Sequence, residues 1–244
     1  MALGRDEKDN GDAPARGPRD WASQPPYLSP DYKSTILRAP SQPLVPLPQS
    51  LADRSGPAFG HDSLTPLDDD LTRNAVKDGP PQGERIVVTG RLLDEAGRAI
   101  PDSLIEIWQA NAAGRYIHQA DQHEAPLDPN FLGAGRCVTD NEGRYRFTTI
   151  RPGAYPWGNH ANAWRPSHIH FSLFGPSIAT RLVTQMYFPG DPLIPLDPIC
   201  NAVPAEARDR LIADFSLDAT EPGQALGYRF DIVLRGPAET PMEG

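Results

Sequence analysis

The sequence predicts an all-β sandwich with long loops, one short helix and an extended proline-rich strap on its N-terminal side. Three observations carry that prediction. Seven short runs rich in β-branched and aromatic residues recur between turn residues. The 28 prolines outnumber the 21 glycines, which works against long helices and suits shaped loops. Internal repeats and sustained heptads are absent, and no apolar run approaches the ~18 residues of a membrane-spanning helix.

Taken in order, residues 1–19 are charged, Gly/Pro/Ala-rich and aperiodic, and read as a disordered or partner-dependent arm. Residues 20–83 carry a proline every few positions, with Trp21, Tyr27, Leu28, Ile36, Leu37 and Leu44 scattered between. Such a segment cannot build its own sheet and is expected to lie as a strap on another surface, its own domain or a partner chain. Asp68, Asp69 and Asp70 read as a solvated turn or helix start. Residues 84–244 form the sandwich. Its expected strands are Arg85–Leu93, Ser103–Gln109, Arg136–Asp140, Tyr145–Thr149, Ser167–Phe174, Arg181–Tyr187 and Tyr228–Arg235. In the last, Tyr228, Phe230, Ile232 and Leu234 alternate with Arg229, Asp231 and Arg235. The expected helix is Ala205–Phe215, with Val203, Ala207, Leu211 and Phe215 spaced by four behind Pro204.

Charge narrows the function. With 23 basic against 32 acidic side chains, a formal charge of −9 argues against nucleic acid and anionic membranes as partners. Two cysteines, Cys137 and Cys200, exclude a disulfide scaffold and a Cys-rich zinc site. The first residues have no apolar stretch of the secretory type, so a cytoplasmic protein is expected.

The chemistry concentrates between Tyr116 and His170, where five of the six histidines fall. In the expected strand, His168 and His170 share one face with Cα atoms ~6.6 Å apart, and Ile169 and Phe171 take the other. Two imidazoles so placed can close on one metal ion, or can be polar residues on an exposed face. No carboxylate stands two residues from either histidine, as a His-x-Asp/Glu ferrous site would have. Tyrosine is nearby instead: Tyr116 and Tyr155 each end a glycine- or proline-shaped loop. A phenol with an ordinary pKa near ~10 needs a strongly Lewis-acidic ion to serve as ligand, and ferric iron suits it.

These residues resemble the intradiol ring-cleaving dioxygenases. The likeness rests on Glu106–Asn111 through Tyr116, Arg151-Pro152-Gly153 with Tyr155-Pro156-Trp157, and Trp164-Arg165-Pro166-Ser167-His168-Ile169-His170. Ala125–Phe131, Gly175–Thr180 and Tyr228–Arg235 narrow it to members that act as one chain of a two-chain enzyme on a carboxylated catechol. The resemblance implies an intradiol-type β-sandwich and one non-haem Fe(III) per active chain, held by Tyr116, Tyr155, His168 and His170. It implies cleavage of 3,4-dihydroxybenzoate by O₂ to 3-carboxy-cis,cis-muconate. Arg165 would stabilise developing negative charge on the substrate, Gln185 would orient Arg165, and Tyr32, Trp157 and Ile199 would line the pocket. Gly158 stands where some relatives carry a basic residue. A homologous α chain is implied as partner, forming αβ units in a larger assembly. His61, His118, His123 and His160 fall outside the motif and read as surface histidines. Two other readings are a catechol or hydroxyquinol 1,2-dioxygenase, against which the absence of a helical N-terminal pattern counts, and a non-catalytic β-sandwich binding module.

Overall fold

The computed structural model describes residues 21–45, 64–75, 77–174 and 182–243. The arm 1–19, His61, the motif Gly175–Thr180 and Arg181 lie outside the described residues.

The β-branched run Arg85–Leu93 forms β1, the axis of the first sheet. It pairs antiparallel along its length with β4, Arg144–Ile150, from Arg85 opposite Ile150 to Arg91 opposite Arg144. On its other side β10 (Leu226–Arg229) and β11 (Ile232–Val233) run parallel to its two halves, and β9 (Asp214–Phe215) closes the edge. The second sheet is antiparallel, in the order β3 (Ala134–Val138), β2 (Leu104–Trp108), β7 (His168–Phe174), β8 (Leu182–Tyr187). A two-stranded ladder, β5 (Tyr155–Pro156) with β6 (Trp164–Arg165), stands apart from both.

Period-two patterning decides what lies between the sheets. Ile86, Val88, Tyr145 and Phe147 from the first meet Ile105, Ile107, Ile169, Phe171 and Leu173 from the second in one core. Phe147 and Phe171 lie fully buried, rings 5.8 Å apart and edge to face. Each contributes about 1.5–3 kcal/mol from apolar burial. Because Ile169 and Phe171 take the core, His168 and His170 project from the opposite face of β7. That outer face is itself covered, since every residue from His168 to Leu173 is buried.

The expected C-terminal strand is split in two. Its alternation holds, with Phe230 and Ile232 buried, but the ladder to β1 is interrupted at Phe230 and Asp231. There the Tyr145 hydroxyl donates to the Phe230 carbonyl, and the Arg91 N–H donates to the Asp231 side chain at 3.0 Å. Gly90 permits this crossing, because a Cβ there would run into the Phe230 carbonyl oxygen and the Tyr145 ring.

The expected helix Ala205–Phe215 is shorter than its spacing suggests, and it is one of several short helices instead of the only one. Besides α1 (Thr35–Arg38) and α2 (Pro198–Ala202), α3 covers Ala205–Arg208 and gives way to a 3₁₀ turn at Asp209–Leu211. The edge of β8 then captures the chain: Ile212 bridges Tyr187, and the Ala213 N–H donates to the Tyr187 carbonyl at 2.9 Å. Val203, Ala207 and Leu211 do share a cluster with Tyr187 and Cys200, whereas Phe215 is half exposed in β9.

The aspartate run is not a freely solvated turn. The Arg136 N–H donates to the Asp68 carbonyl at 2.8 Å, the Thr148 N–H donates to the Asp69 carbonyl at 2.8 Å, the Leu71 N–H donates to the Thr148 carbonyl at 2.9 Å, and Arg136 pairs with the Asp68 carboxylate at 2.8 Å. The turn therefore joins the edges of β3 and β4 across the two sheets. Nearer the start, the Lys33 N–H donates to Asn159 Oδ1 at 2.8 Å, and Asn159 Nδ2 donates back to the Asp31 carbonyl at 2.8 Å.

Candidate metal centre

Two loops bring the tyrosines to the outer face of β7. In the first, Asn111 Oδ1 accepts from the N–H groups of Ala113 and Arg115, both at 2.9 Å, and so folds the chain back on itself. Gly114 sits at φ +78°, and its missing Cβ is what lets this loop pack on the Ala154 carbonyl. The Tyr116 N–H is then fixed by Asp121 Oδ2 at 2.7 Å. The second loop is tied to the first by the Gly153 N–H donating to the Asn111 carbonyl at 2.9 Å. Tyr116 and Tyr155 consequently meet edge to face, ring centroids 5.4 Å apart.

All four expected ligands converge. His168 Nε2 lies 3.2 Å from His170 Nε2 and 3.3 Å from the Tyr155 hydroxyl, and the Tyr116 ring is 6.5 Å from the His170 ring. Each imidazole is held from behind. His168 Nδ1 donates to the Pro166 carbonyl at 2.7 Å, and His170 Nδ1 donates to Glu243 Oε2 at 3.0 Å. The His170 ring also lies flat on Trp108, 4.8 Å away and within 5° of parallel.

With both Nδ1 atoms donating, both Nε2 atoms present lone pairs to one another at contact distance. Burial, Arg165 and His170 together hold His168 well below the usual imidazole range, which favours its neutral, metal-binding form. The Tyr116 hydroxyl points into the same space, buried and without a hydrogen bond. Burial pushes both phenols up, Tyr116 further through its neighbour Tyr155 and Tyr155 less because Arg165 opposes it. Two neutral nitrogen donors and two phenols that need a strong charge to ionise fit a Lewis-acidic cation. Among the described residues no three His, Cys, Asp or Glu side chains gather to offer another metal site.

Arg165 lies directly across the β5–β6 ladder from Tyr155. It is 3% exposed, and its Nη2 donates to Gln185 Oε1, to the Tyr187 hydroxyl at 3.1 Å and to Asp197 Oδ2 at 3.1 Å. Burial works against its charge, but Tyr187 and Asp197 more than restore it and keep the guanidinium protonated. Its Nε is buried and unpartnered, and so is Trp157 Nε1. Trp157 passes 5.6 Å from the guanidinium carbon and 5.6 Å from the Tyr32 ring, so Tyr32, Trp157 and Arg165 form one wall. Ile199 is buried in α2, whose N-cap is Asp197. His118 and His160 are exposed, and His123 packs on Trp164; none joins the centre.

Sequence reasoning missed Asp197, Tyr187 and Glu243. Asp197-Pro198 carries a helix-start signal, a capping aspartate before an N1 proline, but that signal does not say which cation the carboxylate faces. Glu243 lies 73 residues from His170 in the chain and has no local signal at all.

Residues 54–236 match the family described as Dioxygenase, and residues 18–50 match the protocatechuate 3,4-dioxygenase beta subunit N-terminal family. The chain belongs to the intradiol dioxygenase family and is an intradiol dioxygenase. It is 67% identical over 226 residues to a protocatechuate 3,4-dioxygenase beta chain from Burkholderia cepacia, covering 93% of this chain and 96% of that one. The alpha chain from the same organism is 32% identical over 161 residues, covering 65% of this chain and 76% of its own length. Among solved structures, a 3-chlorocatechol 1,2-dioxygenase from Rhodococcus opacus superimposes with a TM-score of 0.54 at 25% identity, over 68% of this chain and 64% of that one. No helix among the described residues is long and apolar enough to cross a membrane.

Proposed function

We propose that this chain is the iron-bearing beta chain of a protocatechuate 3,4-dioxygenase, with one non-haem Fe(III) held by Tyr116, Tyr155, His168 and His170. The observation that carries the reading is the pair of Nε2 lone pairs facing each other at 3.2 Å, with both Nδ1 atoms already engaged. A Lewis-acidic cation satisfies that arrangement together with the unpaired Tyr116 hydroxyl. When bound, the iron supplies a Lewis acid that gathers the two adjacent hydroxyl oxygens of the diol and withdraws electron density from its ring.

The remaining work falls to side chains. Ionised to the phenolate where it would hold the iron, Tyr155 Oη would take a proton from a substrate hydroxyl as the diol binds and become a neutral phenol. Arg165, on the strand opposite, presents a fixed cation to the negative charge that develops on the ring carbon attacked by O₂. Gln185, Tyr187 and Asp197 hold that guanidinium so that it need not reorganise during reaction. Tyr32, Trp157 and Ile199 form the pocket wall, and the free N–H groups of Trp157 and Arg165 are donors available to the substrate. The product of this chemistry is 3-carboxy-cis,cis-muconate.

A homologous alpha chain completes the assembly in this reading. Trp21, Ile36, Leu37, Leu44 and Val45 are more than half exposed on the strap, as a segment that packs against another chain would be. The test is direct: the protein co-expressed with such a partner contains about one iron per copy of this chain, is visibly coloured by tyrosinate-to-iron charge transfer, and consumes O₂ with protocatechuate. Zinc in place of iron, or a colourless protein, overturns the ligand assignment.

A further inference from the structure

The segment that follows β11 turns back into the molecule. The Thr240 N–H donates to the Val233 carbonyl at 2.9 Å, and Thr240 Oγ1 accepts from the Val233 N–H at 3.0 Å. Thr184 Oγ1 donates to the Pro241 carbonyl at 2.7 Å, and the Met242 N–H donates to Gln24 Oε1 at 2.7 Å. Finally the Glu243 N–H donates to the Val183 carbonyl at 2.8 Å. Glu239 and Thr240 are buried at 0% and 1% exposure. This anchored backbone sets the Glu243 carboxylate against the back of His170.

The two histidines are therefore oriented by different means. His168 is held by a backbone carbonyl, Pro166, which no side-chain replacement removes. His170 depends on Glu243. Its stacking on Trp108 fixes the plane of the ring but says nothing about which nitrogen carries the proton. Without an acceptor at Nδ1, the other tautomer becomes accessible, with an Nε2–H directed at the place where the lone pair is needed.

We infer that Glu243 is a positioning residue of the metal centre: its carboxylate, delivered by the segment after β11, selects the tautomer and aim of His170. The inference rests on the proposed iron reading. Its test compares the wild-type protein with Glu243→Gln and Glu243→Ala, each purified in the same assembly. Three quantities are measured: iron affinity in competition with a chelator, the tyrosinate-to-iron visible band, and the thermal midpoint of the iron-stripped protein. Glu243→Ala should lose about 10–100-fold in iron affinity, the usual effect of removing a group that orients a ligand histidine, with a displaced visible band. Glu243→Gln should stay within about 3-fold of wild type, because its amide oxygen still accepts from Nδ1–H. The iron-stripped Glu243→Ala midpoint should fall by no more than about 2–4 °C, the effect of one lost side-chain hydrogen bond, since the bond to Val183 uses the backbone of Glu243 and not its side chain.

Wild-type affinity and an unshifted band in Glu243→Ala would overturn the inference. Equal losses in both variants, or an iron-stripped Glu243→Ala midpoint lowered well beyond the effect of one hydrogen bond, would overturn it too by assigning the effect to the fold. A wild-type protein free of iron and colour would overturn the proposed function itself, before any variant is compared.

Discussion

Arg165 and Asp197 form an ion pair at 3.1 Å in which the carboxylate side chain is 0% exposed and the guanidinium 4%. Tyr187 donates to the same carboxylate oxygen at 2.9 Å, so the pair is embedded in a hydrogen-bonded group and not simply in contact. Removing one partner of such a pair leaves an uncompensated buried charge, at a cost of about 3–5 kcal/mol. Asp197→Ala should therefore unfold at distinctly lower denaturant concentration than wild type. An Arg165→Met/Asp197→Leu double variant should recover much of that loss, which a chemical-denaturation cycle measures.

Arg165 should matter to turnover far more than to metal. It touches none of the four ligand atoms through a hydrogen bond, and loss of one preorganised electrostatic donor costs about 10²–10³ in kcat. Arg165→Ala is expected to keep its iron and visible band while oxygen uptake slows by that factor. A near-normal rate would remove Arg165 from the chemistry.

The ligands should divide by role. His168→Ala and His170→Ala each delete an Nε2 donor and should give protein with little iron. Tyr155→Phe should retain more metal than either, yet bind the diol poorly and turn over slowly, because the group that leaves and takes up a proton is gone. Metal analysis beside steady-state kinetics on the three variants reads that split, and equal metal loss in all three would contradict it.

What could be read from the sequence follows the range of the forces involved. The H-x-H pair and the burial of Ile169 and Phe171 behind it depend on strand alternation, which is local. The two tyrosine loops announced themselves through Gly114 and Pro152-Gly153, residues whose backbone demands are also local. The helix after Pro204 was overestimated because its period of four persists through Phe215. What ends it is the edge of β8, a tertiary contact that no window of the sequence contains. Asp197 and Glu243 escaped for the same reason. Each acts through a partner 32 and 73 residues away, brought close only by the completed sheets.

Gly90 should tolerate nothing larger. A methyl group there meets backbone, the Phe230 carbonyl, and not the movable end of a side chain. Overpacking of this kind costs about 1–3 kcal/mol, and loss of the Tyr145–Phe230 hydrogen bond would add about 1 kcal/mol. Gly90→Ala should lower the unfolding midpoint by more than Tyr145→Phe does, as urea titration of the two variants would reveal.

Alkaline pH should weaken the fold through Tyr145. Burial foremost, with Cys137 and Asp231 nearby, pushes its phenol well above the ordinary value of 10.0. The folded state thus keeps a proton that the unfolded chain releases. Its contribution is whole below pH ~10 and is lost as pH rises from there toward the higher folded value, by up to ~1.4 kcal/mol per pH unit. Denaturant midpoints measured upward from pH 9 should fall with that slope, and Tyr145→Phe should flatten it.

Tyr155 and Arg165 are ten positions apart along the chain but directly opposite across a two-stranded ladder. The loop 157–163 between them can gain or lose residues without moving either, provided the ladder closes in the same register. His168 and His170 enjoy no such freedom, because the extended backbone of β7 sets their separation and a residue inserted between them would turn one of them toward the core. Natural variants of this centre should accordingly differ in length within 157–163 and never between His168 and His170. A search for distant kin is best anchored on His168-Ile169-His170 in β7, with the distance back to the tyrosine left free.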